Sequence, residues 1–234
     1  MAVGSKTFPQ DNTGSLASGR IAPSAGISAV PERWRDWVET FLVFALFEVV
    51  LWTPRSILHG LVIGLVVSGV VWFSFRRNSR VELGLVWPAQ GAARILTIGV
   101  QVAIAIPVAA ILTGHPVPAN PGWPKFHNLW PYFIWAFAQQ FLLLSFFFLR
   151  LETLVRGRWA VAASTFLFTL AHLPNMTLTV MTVVGALFFT EMFRRYRSIY
   201  PLGIVHALLG TAIAYSFPDW LMHHMRVGLS YWQF

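Results

Sequence analysis

The sequence predicts an all-α fold, a polytopic transmembrane helical bundle of six to seven spans, and three observations carry that expectation. Hydrophobic residues fill 56% of the 234 positions and charged residues only 11%, against about 25% charged in a soluble domain. The apolar residues fall in long runs, several near the roughly 20 residues that cross a hydrocarbon core. Compact basic clusters separate the runs, and the 20 Phe and 11 Trp suit lipid contact and interfacial anchoring.

Taken in order, residues 1–30 are rich in Gly, Ser, Ala and Pro and hold no apolar core long enough for a signal peptide. They read as a flexible tail ahead of a helical domain over 31–234. Pro31 to Trp37 is charged, carries two Trp, and reads as an interfacial helix start. The first span is expected over Val38 to Trp52, broken by Thr53-Pro54-Arg55. The second covers Ser56 to Phe75 and is closed by Arg76, Arg77 and Arg80. After a short connector, Val81 to Gly91, the third runs from Ala92 to Leu112 with Pro107 as a kink position. Gly114 to His127 holds four Pro and reads as a loop at the opposite surface. The fourth span covers Trp130 to Leu149 and is closed by Arg150, with Arg156 and Arg158 beyond. The fifth, Trp159 to His172, is interrupted at Leu173-Pro174-Asn175. The sixth runs from Met176 to Phe193, closed by Arg194, Arg195 and Arg197. The seventh covers Tyr200 to Phe217, and Pro218 to Phe234 reads as interfacial. The first and fifth runs are short for a span. Six spans plus a re-entrant or surface segment therefore stands beside seven.

The net charge of +8 would raise the question of nucleic acid in a soluble chain. Here the basic residues sit between apolar runs, so no nucleic-acid partner is expected. Seven spans put Arg33/Arg35, Arg76/Arg77/Arg80, Arg156/Arg158 and Arg194/Arg195/Arg197 on one side. The positive-inside rule makes that side, and the N-terminus, cytoplasmic. With no Cys in the chain, neither a disulfide nor a cysteine-based metal site is possible.

Polar groups at membrane depth normally face the bundle interior. Gln139 and Gln140 lie in the fourth span, His172 and Asn175 at the end of the fifth, Glu191 near the end of the sixth and His206 in the seventh. Glu48 and Gln101 lie in the first and third. Each has a plain structural reading. The two Gln and His206 would tie helices together, His172 and Asn175 would cap helices, and Glu191 and Glu48 would pair with surface Arg residues. The functional reading gathers Gln139, Gln140, His172, Asn175, Glu191 and His206 about one cavity. There His172, His206 and Glu191 would suit a divalent metal, or the two imidazoles would act as base and donor without one. Small residues at Gly185, Ala186, Gly203, Ala207 and Gly210 mark close helix contacts.

At these residues the chain resembles the CPBP group of intramembrane proteases, which includes Rce1-type CAAX prenyl proteases and Abi proteins. The resemblance covers about 130–216. Phe168-Thr169-Leu170-Ala171-His172 matches a Phe-x-x-x-His motif, followed by Asn175. His206-Ala207-Leu208-Leu209-Gly210 matches His-x-x-x-Asn/Asp only in its His. Gln139-Gln140-Phe141-Leu142-Leu143-Leu144 falls where the family carries Glu-Glu-x-x-x-Arg. The resemblance implies a helical membrane fold and a site built on these positions, with Phe141, Leu144, Phe168 and Gly210 lining the pocket. In the family the Glu pair is expected to activate water, whereas a neutral amide is no useful base near pH 7. Losing the Arg position together with both acids removes a buried cation along with its counter-charges.

Two readings follow. One is a non-proteolytic relative that binds a membrane peptide, lipid or isoprenoid, with Phe141, Phe146, Phe147, Phe166, Phe168 and Phe188 as walls. The other is an enzyme in which His172 and His206 work, helped by Glu191 or a metal. Membrane lipids are the expected surroundings and a bacterial inner membrane the expected location. A transporter fits less well, because no paired broken helices stand in matching halves.

Overall fold

The computed structural model describes residues 29–88, 90–114 and 129–233. Most of the N-terminal tail and the Pro-rich loop lie outside the described residues. Among those described, the chain is all-helical. Seven long helices run as α1 (Ala29–Leu51), α2 (Ile57–Arg77), α3 (Ala92–Leu112), α4 (Leu129–Leu154), α5 (Arg158–Leu170), α6 (Met176–Tyr196) and α7 (Tyr200–Ser216). A four-residue helix, α8 (Asp219–Met222), and two 3₁₀ turns follow.

Four helices, α2, α3, α4 and α6, are long and apolar enough to cross a bilayer. The 13 residues of α5 and the 17 of α7 fall short of the usual length, and α1 is polar over its first turns. The protein is thus an integral membrane bundle with long and short helices combined. Its lipid face is plain on α2, where Ile57, Leu58, Leu61 and Leu65 are all exposed. The hub is α4: 56% of its span is buried inside the protein, against 11% for α2 and α3.

In its middle α4 changes character. Phe141–Phe148 forms a π-helix, and every residue in it is buried. A π segment usually amounts to a single turn and often sits beside a functional site; this one begins directly after Gln140. Ser145 within it donates to the Leu83 carbonyl at 2.6 Å, tying the α2–α3 connector to the hub.

The expected close helix contacts are seen on α7. A Cβ at Gly203 would lie 2.6 Å from the Phe137 ring, and one at Gly210 would overlap the Tyr132 hydroxyl. Gly99 of α3 is pressed against Val205 in the same way. These glycines let α3 and α4 approach α7 to backbone distance.

Ion pairs join the basic clusters at one end of the bundle. Glu39 accepts from Arg77 at 2.6 Å, Arg35 at 3.1 Å and Arg150 at 3.3 Å. Arg33 donates to the Leu154 carbonyl at 3.2 Å, and Arg197 pairs with Glu152 at 2.6 Å. Arg150 does not end the fourth span as expected. It is buried within α4, where Glu39 and the Phe146 face, 3.8 Å from the guanidinium, accommodate its charge.

Candidate functional site

A cavity of about 1170 Å³ opens inside the helices, slightly above the range that holds a drug-sized ligand. Tyr132, Trp135, Gln139 and Leu142 line it from α4, a spacing of three, four and three that presents one helix face. From α7 come His206, Leu209, Gly210 and Ile213, and from the α5 end Phe168 and His172. Most of the remaining wall is apolar.

Gln140 has no solvent exposure, and its Nε2 lies 2.9 Å from Nδ1 of His206. In this orientation the amide donates, so His206 accepts at Nδ1 and carries its own proton on Nε2. The Gln140 Oε1 is buried without a partner. His172 Nδ1 lies 2.7 Å from the Phe168 carbonyl. A carbonyl only accepts, so His172 holds its proton on Nδ1 and presents Nε2 as an acceptor. The two imidazoles therefore stand in opposite tautomers, one offering a lone pair and the other an N–H. Phe168 lies between them, with ring centroids 4.9 Å from His172 and 6.4 Å from His206, and Phe189 stacks on His206 at 5.4 Å.

The structure separates the other expected members. Glu191 does not join the imidazoles: Arg194 and Arg195 hold its two oxygens at 2.7 and 2.6 Å, a pairing available one turn further along α6. The metal set His172, His206 and Glu191 is therefore not assembled, and no group of three His, Cys, Asp or Glu among the described residues could hold an ion. Phe141 and Leu144 do not line the cavity. Both belong to the apolar core beside Leu143, Phe148 and Phe193, and Phe141 stacks on Phe75 at 6.3 Å. An Arg in place of Leu144 would lie in that core. Of the aromatic walls, Phe147, Phe168 and Phe188 line the cavity, Phe146 is core and Phe166 is exposed. Gln101 is exposed, and Glu48 accepts from Trp52 Nε1 at 3.2 Å.

Asn175 works as a structural clamp. Its Oδ1 caps α6 by accepting from Leu178 N–H at 3.1 Å, while Nδ2 donates to the carbonyls of Met222 at 2.8 Å and Arg226 at 3.2 Å. Those carbonyls bracket His223, His224 and Met225, three successive non-glycine residues with φ of 46°, 50° and 56°. Such backbone persists only where its surroundings over-determine it. Asn175 supplies that constraint, and the turn lies across one mouth of the cavity, which His224 and Met225 help to line.

Tyr132 is the residue that the sequence reading missed. Its hydroxyl makes no hydrogen bond among the described residues and fills the volume where a side chain at position 210 would begin. The signals available were its seven-residue spacing from Gln139 and the glycine at 210.

Residues 121–212 match the family model for Rce1-like proteins, described as type II CAAX prenyl endopeptidase Rce1-like. Over that stretch the chain is similar to Rce1-like proteins. No curated protein and no solved structure matches the chain. Gln139, Gln140, His172, His206, Gly210 and Tyr132 all fall inside the Rce1-like stretch. The walls contributed by α1, α2 and α3 fall outside it.

Proposed function

We propose that this protein is a CAAX-protease-like membrane protein that binds a hydrophobic membrane-borne ligand, a lipid, isoprenoid or membrane peptide, without glutamate-based proteolysis. One observation carries the reading. At the position of the water-activating acids stands Gln140, already hydrogen-bonded to His206 beside an apolar cavity. An amide has no basic lone pair to take water's proton. We place the basic end of the bundle and the N-terminus in the cytoplasm, in keeping with the positive-inside rule, with a bacterial inner membrane as the setting.

The opposite tautomers of His172 and His206 favour a second reading, hydrolysis with His172 Nε2 as base and His206 Nε2–H as donor to the developing oxyanion. Native mass spectrometry of the detergent-purified protein, alongside cleavage assays on prenylated and unprenylated membrane peptides, separates the two. Binding predicts a co-purifying amphiphile that Gly185→Leu, on the cavity wall, displaces, with no cleavage. Cleavage abolished by either His172→Ala or His206→Ala would establish the second reading and overturn the first.

A further inference from the structure

Arg55 lies between α1 and α2, at the end of the bundle opposite the ion-paired Arg clusters, and its side chain lines the cavity together with His59, His224 and Met225. It makes no ion pair or hydrogen bond among the described residues, whereas Arg77, Arg150, Arg194, Arg195 and Arg197 each meet a carboxylate. Acids are scarce at this end. Glu48 accepts from Trp52, and Asp219 pairs with His224 at 2.8 Å. Among the described residues no carboxylate pairs with Arg55, and its neighbour Arg226 is itself a cation. Partial burial and the neighbouring Arg226 guanidinium both hold Arg55 below its ordinary ionisation range. His59 donates through Nδ1 at 3.0 Å to the Thr53 hydroxyl, which itself donates to the Val50 carbonyl.

Below the mouth the wall is apolar, with Phe44, Phe47, Val50, Ile98 and Val102 among its residues. Lipid tails are as apolar as such a wall, so an acyl chain gains little by leaving the bilayer for the cavity. The chain supplies shape, and selection has to come from polar groups. An anion at Arg55 forms charge-assisted hydrogen bonds, roughly twice as strong as neutral ones.

We propose that the cavity takes an amphiphile with an anionic head, the head held by Arg55 at the mouth and the tail lying along the apolar wall. The inference rests on the ligand-binding reading above and names the class of ligand.

The test uses the full chain in phosphatidylcholine nanodiscs and equilibrium binding of two probes, dodecyl phosphate and dodecanol. Wild-type protein prefers dodecyl phosphate. Arg55→Ala weakens that probe by about tenfold, the low end for a hydrogen bond to a charged group, and leaves dodecanol unchanged, while Arg55→Lys keeps most of the preference. Gly185→Leu excludes both probes. If Arg55→Ala has no effect, or if its effect persists undiminished in Gly185→Leu, the head-group assignment is overturned, the latter result marking a plain surface interaction. If Gly185→Leu leaves both probes bound, the cavity reading itself falls. Adding phosphatidylglycerol to the disc distinguishes sources of the same chemistry: Arg55-dependent competition assigns the head to a bilayer lipid, and its absence to a free single-chain amphiphile.

Discussion

Gly210→Ala tests the geometry on which the site depends, because it puts a methyl where the Tyr132 hydroxyl now sits. The new Cβ would overlap that oxygen and lie 2.7 Å from Cζ, so the ring must move by roughly 0.7 Å to reach ordinary contact at 3.4 Å, and the hydroxyl by more. Overpacking of this kind costs about 1–3 kcal/mol. Tyr132 lines the cavity and has room to swing on that side, so the lower part, about 1–2 kcal/mol, is expected. For a chain of this size that lowers Tm by roughly 2–8 °C, read by intrinsic tryptophan fluorescence in nanodiscs. The decisive comparison is a double-mutant cycle. In a Tyr132→Ala background the overlap is gone, so adding Gly210→Ala costs almost nothing further. Tyr132→Phe removes the oxygen but keeps the ring, so it relieves only part of the cost. Equal losses in the wild-type and Tyr132→Ala backgrounds, or no loss in either, would refute the account of why position 210 is glycine.

Four further outcomes are expected. Gln139→Glu with Gln140→Glu confers no protease activity while Leu144 remains in the apolar core, and robust cleavage of a membrane peptide by that double variant would contradict this. Asn175→Ala removes a helix cap and two clamping bonds, for about 2–3 kcal/mol, and hydrogen exchange rises over residues 219–230 first; uniform loosening would contradict the clamp. Arg150→Met leaves Glu39 with Arg77 and Arg35, so thermal stability falls by less than the roughly 3–5 kcal/mol of an orphaned buried charge. Glu82 is held below the usual carboxylate range by the Ser79 backbone N–H and hydroxyl. A lowered folded-state value contributes stability above the unfolded carboxylate range that is lost as pH falls through the folded value. The small Tm deficit of Glu82→Gln at neutral pH should therefore vanish in acid, and a constant deficit would contradict the assignment.

The helical plan was legible because its signals are local. α3 begins and ends where expected, since Gly91 takes the left-handed φ of 86° just before it and the Thr113 N–H closes its last turn. α4 runs five residues beyond expectation for a non-local reason. An Arg after an apolar run resembles a stop, and the carboxylate that meets Arg150 inside the protein comes from Glu39, 111 positions away. Of the two readings of Glu191, the pairing with Arg is the one seen, its partners standing three and four residues on. Tyr132 went unmarked because the rotation of α4 against α7 is set by glycine contacts that hydropathy does not record.

That rotation also decides what the cavity can recognise. In hydrocarbon a polar group that finds no partner is expensive, and the bundle satisfies several of its own: Asn175 is fully used, Glu191 is paired, and the Gln140 Nε2 meets His206. Hydrogen-bonding capacity left over inside the helices is therefore informative about what is meant to arrive. Among the described residues, Tyr132 keeps an unbonded hydroxyl, His172 an acceptor and His206 a donor, all on residues lining one cavity, with Arg55 at its mouth. Apolar contact alone cannot distinguish a guest from the surrounding lipid, so on the ligand-binding reading proposed above these few groups would set the specificity. A ligand that engages them has polar functions at two depths, one at the charged mouth and one beside the imidazoles. A simple hydrocarbon would engage neither.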